Sequence, residues 1–126
     1  MKYNVCKLDG RFSYNQWFKY YIGFSSSMAF DQGPLHFTQV QKWCFQTWDW
    51  SAEVRQWNDI YRYHTNRVPM MRVAGGFVRQ VPKNLPEECN SYWSWSNGFT
   101  GAGELRIYLK SEAELAFLQL AFPVDQ

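Results

Sequence analysis

The sequence has little of what catalytic and metal-binding sites are usually built from. It contains three cysteines, Cys6, Cys44 and Cys89, which are an odd number and lie far apart along the chain. No Cys-x-x-Cys pair occurs, so the sequence supports neither a zinc knuckle nor a thioredoxin-type redox site. Free thiols in this pattern are typical of a reducing compartment.

Histidine is equally scarce, since only His36 and His64 are present. Gly98, Gly101 and Gly103 match neither the dinucleotide fingerprint nor a P-loop. We therefore expect no metal, no cofactor and no enzymatic activity. An active site assembled from scattered residues around His64 or His36 remains the less favoured alternative, because spacing arguments would not detect it.

Long apolar runs are missing as well. No stretch approaches the length of a membrane span, and residues 1–10 have no apolar core of the kind a signal peptide needs. We expect a soluble, cytoplasmic protein, and residues 1–126 are predicted to form a single domain.

What the chain has in abundance is aromatic side chains, at 20% of 126 residues. They are densest at 37–50, where Phe37, Val40, Trp43, Cys44, Thr47 and Trp48 fall on one arc of a helix. This amphipathic pattern predicts a helix with its apolar stripe on a core, with Trp43 and Trp48 buried. Thr38 is the predicted N-cap.

The remaining elements follow from alternation and capping patterns. Strands are predicted at 2–8, 16–24, 91–96 and 104–110, and a hairpin at 69–81 across Gly75-Gly76. Ser51 is predicted to cap a second helix over 51–64. Ser111 with Glu114 forms a capping box for a helix over 111–122, although this last segment also fits a strand.

These elements predict an α+β fold. The expected architecture is a two-layer sandwich with a mostly antiparallel sheet of about four strands and the helices on one face. A ferredoxin-like arrangement is one member of that class.

Charge is distributed unevenly around a net value of +2. Residues 55–83 carry six basic groups and one acidic group, whereas residues 84–126 carry two basic and six acidic groups. The two regions either face each other or share a solvated surface, or the basic region meets an anionic partner. The predicted partner-binding residues in the basic region are Arg55, Trp57, Tyr61, Arg62, Tyr63, Arg67, Arg72 and Arg79.

The last helix predicts a second contact surface. Leu115, Leu118 and Phe122 can pack on the sheet, which leaves Phe117 and Leu120 on the far side with nothing to cover them. Exposed apolar surface of this kind usually marks an interface. We expect a homodimer, or docking to a protein partner, through Phe117 and Leu120.

The favoured function is a non-enzymatic interaction module that binds a protein partner or itself. Tryptophan, tyrosine, arginine and methionine dominate protein interfaces, but rings interleaved with basic groups also bind single-stranded nucleic acid. A nucleic-acid-binding module that uses 55–79 is therefore the alternative. A small, aromatic-rich chain without motifs is also typical of virus- or phage-encoded accessory proteins.

Overall fold

The computed structural model describes residues 1–11, 14–25, 32–57, 60, 70–79, 89–97 and 104–124, with the backbone alone at 70–73 and 77–79. Within these residues the strands are β1 Asn4–Lys7, β2 Tyr20–Ser25, β3 Met70–Val73, β4 Gly76–Arg79, β5 Trp93–Asn97 and β6 Glu104–Leu109. The helical elements are α1 Gly33–Trp48, a 3-10 helix Val54–Gln56 and α2 Glu112–Ala121.

Four strands form one antiparallel sheet in the order β1-β2-β6-β5. Its central pair, β2 and β6, aligns Ile22 with Ile107 and Tyr21 with Tyr108. The predicted α+β fold with an antiparallel four-stranded sheet is confirmed. A ferredoxin-like topology is not confirmed, because the residues that the structure describes include no helix between β1 and β2 or between β5 and β6.

One face of the sheet carries the main core. Ile22, Ile107 and Leu109 of the sheet pack with Val40 and Cys44 of α1, and all five are inaccessible to solvent. Leu115 and Leu118 of α2 join the same cluster, so both helices cover this face. The helical prediction for the terminal segment is confirmed. Ser111 is its N-cap residue, but the hydroxyl contacts the Glu114 carboxylate and makes no capping bond to the backbone.

The opposite face is covered by the segment that follows α1. Trp57 is fully buried there, with its ring centroid 4.9 Å from that of Phe18 and 5.3 Å from that of Trp17. Tyr21 and Tyr108 of the sheet belong to this second cluster. The segment predicted as a helix at 51–64 thus begins with the 3-10 helix and packs on the face away from α1 and α2.

The first helix starts earlier than the sequence predicted. It begins at Gly33 after Gln32, and Thr38 lies one turn inside it, where its hydroxyl donates to the carbonyl oxygen of Pro34 (2.9 Å). Thr38 is therefore not the N-cap. Gly33 is required here because the Ser25 backbone occupies the space of a Cβ atom. Pro34 in the first turn has its φ fixed near the helical value, and it costs no helical hydrogen bond because the N–H groups of the first turn have no partner within the helix.

The buried stripe of α1 is narrower than predicted. Phe37, Val40 and Cys44 are buried, but Trp43 and Trp48 are only half-buried and Thr47 is exposed. The predicted core role of the two tryptophans is wrong in this respect. Both side chains project from the edge of the buried face of α1 and contact Phe117 of α2.

After α1 the backbone runs beside β5 and is held there by indole groups. Nε1–H of Trp93 donates to the carbonyl oxygen of Asp49 (2.9 Å), and that of Trp95 donates to Ser51 (3.0 Å). Ala52 accepts from Nε1–H of Trp57 (3.1 Å). Ser51 is buried, its hydroxyl donates to the Ala52 carbonyl oxygen, and it caps no helix, because the residue before the 3-10 helix is Glu53.

The hairpin predicted at 69–81 is confirmed. Strands β3 and β4 pair in a register that aligns Met70 with Arg79 and Arg72 with Phe77. Gly76 follows the two-residue turn with φ 130°, a conformation that favours glycine.

The backbone conformation of Asp49, the residue that follows α1, can be tested by substitution. Its φ of 70° and ψ of 178° lie in a region that is essentially restricted to glycine and costs about 1–3 kcal/mol for other residues. Asp49→Gly should therefore raise the free energy of unfolding by roughly 1 kcal/mol, after the greater entropy of an unfolded glycine is deducted. Urea denaturation measures this, with Asp49→Ala as the control that keeps the strain. Equal stabilities of the Gly and Ala variants would contradict the backbone assignment.

Two buried serines of β5 form a matched pair for a second test. Ser94 Oγ donates to the carbonyl oxygen of Ala52 (2.7 Å), whereas Ser96 Oγ has no hydrogen-bond partner within the described part of the chain. Ser94→Ala should cost about 1–2 kcal/mol, and Ser96→Ala should be neutral or stabilising. Chemical denaturation of the two variants decides the point, and the reverse order would show that the hydroxyl assignments are wrong.

Candidate functional site

The outer face of α2 carries two of the six large hydrophobic side chains that are exposed among the described residues. Leu115 and Leu118 point inward and are buried, while the next positions around the helix face solvent. Phe117 is 50% exposed and Leu120 is 80% exposed. We call this surface the α2 outer face, and its residues are Ala113, Ala116, Phe117, Leu120 and Ala121.

Aromatic rings from α1 support this face from one side. The centroid of Trp43 lies 5.6 Å from that of Phe117 and 5.6 Å from that of Phe122, and Trp48 lies 6.2 Å from Phe117. Trp43 and Trp48 meet edge-on at 5.2 Å. Such pairs are worth about 0.5–1.5 kcal/mol beyond burial. We call Trp43, Trp48, Phe117 and Phe122 the interhelical aromatic cluster. Its two tryptophans hold Phe117 in place and leave half of that side chain exposed to solvent.

Different groups lie at the two ends of α2. Glu112 and Glu114 lie in the first turn, where carboxylates favour the positive end of the helix dipole. The beginning of the chain lies at the other end: the Met1 ammonium donates to the carbonyl oxygen of Pro123 (3.3 Å), and the Tyr3 hydroxyl donates to that of Phe122 (2.6 Å). These bonds hold the beginning of the chain against the residues that follow α2.

Phe117 and Leu120 were predicted to be exposed on the far side of this helix, and the structure places them there. The signal was the excess of apolar residues over what one buried helix face can hold. Their role in partner binding stays a prediction. The supporting rings of Trp43 and Trp48 were assigned to the core, so the sequence did not reveal the cluster.

The predicted basic surface at 55–79 is only partly represented in the described residues. Trp57 is fully buried between the sheet and Phe18, so its assignment to a partner-binding surface is wrong. Arg55 is exposed, but its guanidinium contacts the Glu53 carboxylate and Asn97. The hairpin backbone carries Arg72 and Arg79. Tyr61, Arg62, Tyr63 and Arg67 lie outside the described residues.

A polar cluster on the Trp57 face of the sheet was not predicted. Arg106 lies with its guanidinium carbon 4.2 Å from the centroid of the Tyr21 ring. Its Nε donates to Glu104 (2.9 Å), and a terminal nitrogen donates to the Tyr108 hydroxyl (3.4 Å). Glu104, Arg106 and Tyr108 alternate along β6 and so share one face. The guanidinium is engaged at its face and edges, which makes this a structural ion pair.

Other candidate groups do not assemble into a site. Cys44 is buried in the main core, and burial raises the pKa of its thiol, as expected for an inert core residue. His36 lies in the first turns of α1, and His64 lies outside the described residues. Within 1–11, 14–25, 32–57 and the later described ranges, no group of three His, Cys, Asp or Glu could hold a metal ion.

No known protein family, curated protein or solved structure matches this chain. In the part of the chain that the structure describes, no helix is long and apolar enough to cross a membrane.

The polar cluster predicts a pH dependence. Burial, with a smaller contribution from Cys6, raises the pKa of Tyr21 to about 12 from 10.0 in the unfolded chain. The neutral phenol is favoured in the fold, so this stabilisation is complete below pH 10 and is lost as pH rises towards 12. Tyr21→Phe keeps the packing but cannot ionise.

The measurement is urea denaturation of wild type and Tyr21→Phe from pH 8 to pH 12. The wild type should lose stability more steeply above pH 10 than the variant, although Tyr108, whose pKa burial also raises, still contributes to both curves. Parallel curves over this range would show that Tyr21 ionises equally well in the folded and unfolded chains.

Proposed function

We propose that this protein is a non-enzymatic interaction module that binds protein through the α2 outer face. The observation that carries the proposal is the exposure of Phe117 and Leu120 on a helix whose other side is fixed in the main core. Exposed apolar surface backed by a rigid layer is typical of a protein interface.

The composition of this surface favours a protein as its partner. Residues 115–124 contain no charged group, and phosphate recognition requires basic ones. Trp43, Trp48 and Phe117 form a rigid aromatic group of the kind that contributes most to binding when a partner excludes water from it. The proposed setting is that of a virus- or phage-encoded accessory protein in the host cytoplasm, which rests on the small size and aromatic-rich composition of the chain.

Nucleic-acid binding through 55–79 is the competing function. Among its predicted residues, Trp57 is unavailable for stacking on a base. Arg55 is bonded to Glu53 and Asn97. Neither observation favours the competing function, and it becomes one arm of the test.

The test replaces Phe117 and Leu120 together with Gln and Lys. Covering a phenylalanine or leucine side chain contributes about 1.5–3 kcal/mol each, so the double variant should bind at least tenfold more weakly. Immobilised wild type and variant are compared for protein retained from host lysate, with and without nuclease and over a salt series. Leu35→Lys is the matched control, because Leu35 is 55% exposed on α1 and lies outside the α2 outer face.

Proteins that wild type and Leu35→Lys retain, and that the double variant loses, support the proposal. Equal retention by all three chains would overturn it. Retention that disappears with nuclease or falls steeply with salt would instead favour the nucleic-acid module.

A further inference from the structure

We propose that the outer edge of strand β1 binds an extended peptide of a partner protein, which joins the sheet as a further antiparallel strand and carries an acidic residue beside Lys7. This edge shares no residue with the α2 outer face, so the inference goes beyond the proposed function. It is drawn from the backbone groups that β1 turns away from the sheet and from the charge around them.

The pairing pattern of β1 shows which of its backbone groups face outward. β1 lies at one side of the sheet and pairs with β2 alone. The N–H of Leu8 donates to the carbonyl oxygen of Lys19 (2.8 Å), which lies opposite it when the register of the two strands is continued. Residues of an antiparallel pair alternate between those that bond the neighbouring strand and those that face away from it. Cys6 therefore turns its backbone groups towards β2, and Val5 and Lys7 turn theirs outward.

Nothing in the described part of the chain occupies this outer edge. Neither Val5 nor the N–H of Lys7 makes an outward hydrogen bond there, and the carbonyl oxygen of Lys7 meets only the thiol of Cys6 at 3.7 Å. The Val5 side chain is 43% exposed, and Lys7 is exposed as well. Unpaired backbone donors and acceptors along an edge strand are the groups to which an extended peptide adds.

The charge at this edge favours an acidic peptide. Lys7 and Lys19 lie at the same end of the β1–β2 pair, both are exposed, and neither forms an ion pair with a described residue. The carboxylate of Asp9 is already bonded to Arg11. A second copy of this chain would bring its own lysines to the junction, and lysine on an edge strand is a known protection against self-pairing. A peptide carboxylate provides the missing opposite charge.

The geometry also defines the sequence of the peptide. The strands of the sheet pair antiparallel, and the peptide is assigned the same direction. The peptide residue opposite Lys7 then precedes the one opposite Val5 by two positions, and both bond β1 and point to one face. The matching sequence is an acidic residue, any residue, and a β-branched apolar residue that covers Val5.

The first measurement is fluorescence anisotropy of a labelled peptide, threonine-glutamate-threonine-valine-threonine, with protein added to about 1 mM, where weak binding is detectable. N-methylation of its glutamate and valine removes the N–H groups that face β1 and should weaken binding at least tenfold. N-methylation of two threonines, whose N–H groups face solvent, should leave binding unchanged. Absence of binding, or an equal loss in both methylated peptides, would overturn the inference.

The second measurement exchanges the charges. Lys7→Glu should weaken binding of the glutamate peptide roughly three- to tenfold, because an exposed ion pair is replaced by a like-charge contact. The same variant should bind a peptide with lysine in place of the glutamate more tightly than wild type does. Lys42→Glu, which makes the same change in net charge on the exposed side of α1, is the control. Equal effects of the two variants would refute the placement of the acidic residue beside Lys7.

A third comparison separates this edge from the α2 outer face. Val5→Pro removes an outward N–H and no bond to β2, a position at which edge strands accept proline, and it should weaken peptide binding. Circular dichroism checks that the variant is folded. The Phe117→Gln, Leu120→Lys double variant should bind the peptide as wild type does, and a loss in that variant would place the peptide on the α2 outer face instead.

Sedimentation velocity tests the other occupant of the edge. If wild type dimerises and Val5→Pro abolishes the dimer, the edge binds a second copy and the acidic peptide is the wrong partner. A monomer at every concentration supports the assignment. If the peptide does not bind but retention of lysate proteins still depends on Phe117 and Leu120, the inference falls and the proposed function stands.

Discussion

Side chains in and just before β5 donate hydrogen bonds to the backbone that follows α1, and these bonds attach that backbone to the sheet. Asn90 donates to the carbonyl oxygen of Trp48, and the indole of Trp93 donates to that of Asp49. Trp95 and Ser94 bond the carbonyl oxygens of Ser51 and Ala52 in the same way. A backbone segment with few bonds of its own could not otherwise be buried. Because these bonds fix where α1 ends, they also determine where the chain crosses to the other face of the sheet.

The crossing allows one sheet to have two covered faces. The α1 and α2 side is an apolar cluster of aliphatic and aromatic residues, whereas the other side combines Trp57 and Phe18 with the ion pair of Arg106 and Glu104. Stacking on Tyr21 and bonding to Tyr108 compensate the cost of placing a charged group in a mostly buried position. The apolar cluster on the α1 side thus supplies the layer on which α2 lies.

The fold class and the positions of its strands could be predicted from the sequence because they depend on local alternation. Leu105, Ile107 and Leu109 alternate with polar residues, and the structure buries all three on one face. The exposure of Phe117 and Leu120 followed from counting apolar positions on one helix. The half-exposure of Trp43 and Trp48 could not be found in this way, because it depends on where α2 lies beside α1. Likewise, Trp57 was assigned to a binding surface because basic residues surround it in the sequence. Its burial depends on the chain crossing to the second face of the sheet after α1, which the sequence pattern does not show.

Position 23 of the sheet shows how a tertiary contact restricts which sequences fit this fold. The Glu104 carboxylate occupies the space where a side chain on Gly23 would begin, and the same carboxylate accepts from Arg106. A larger residue at 23 displaces the carboxylate and weakens its bond to Arg106, which then keeps only its contacts with Tyr21 and Tyr108 among those described. Because the carboxylate is the end of a flexible side chain, it can move aside, and the effect of a substitution at 23 therefore depends on which residues stand at 104 and 106.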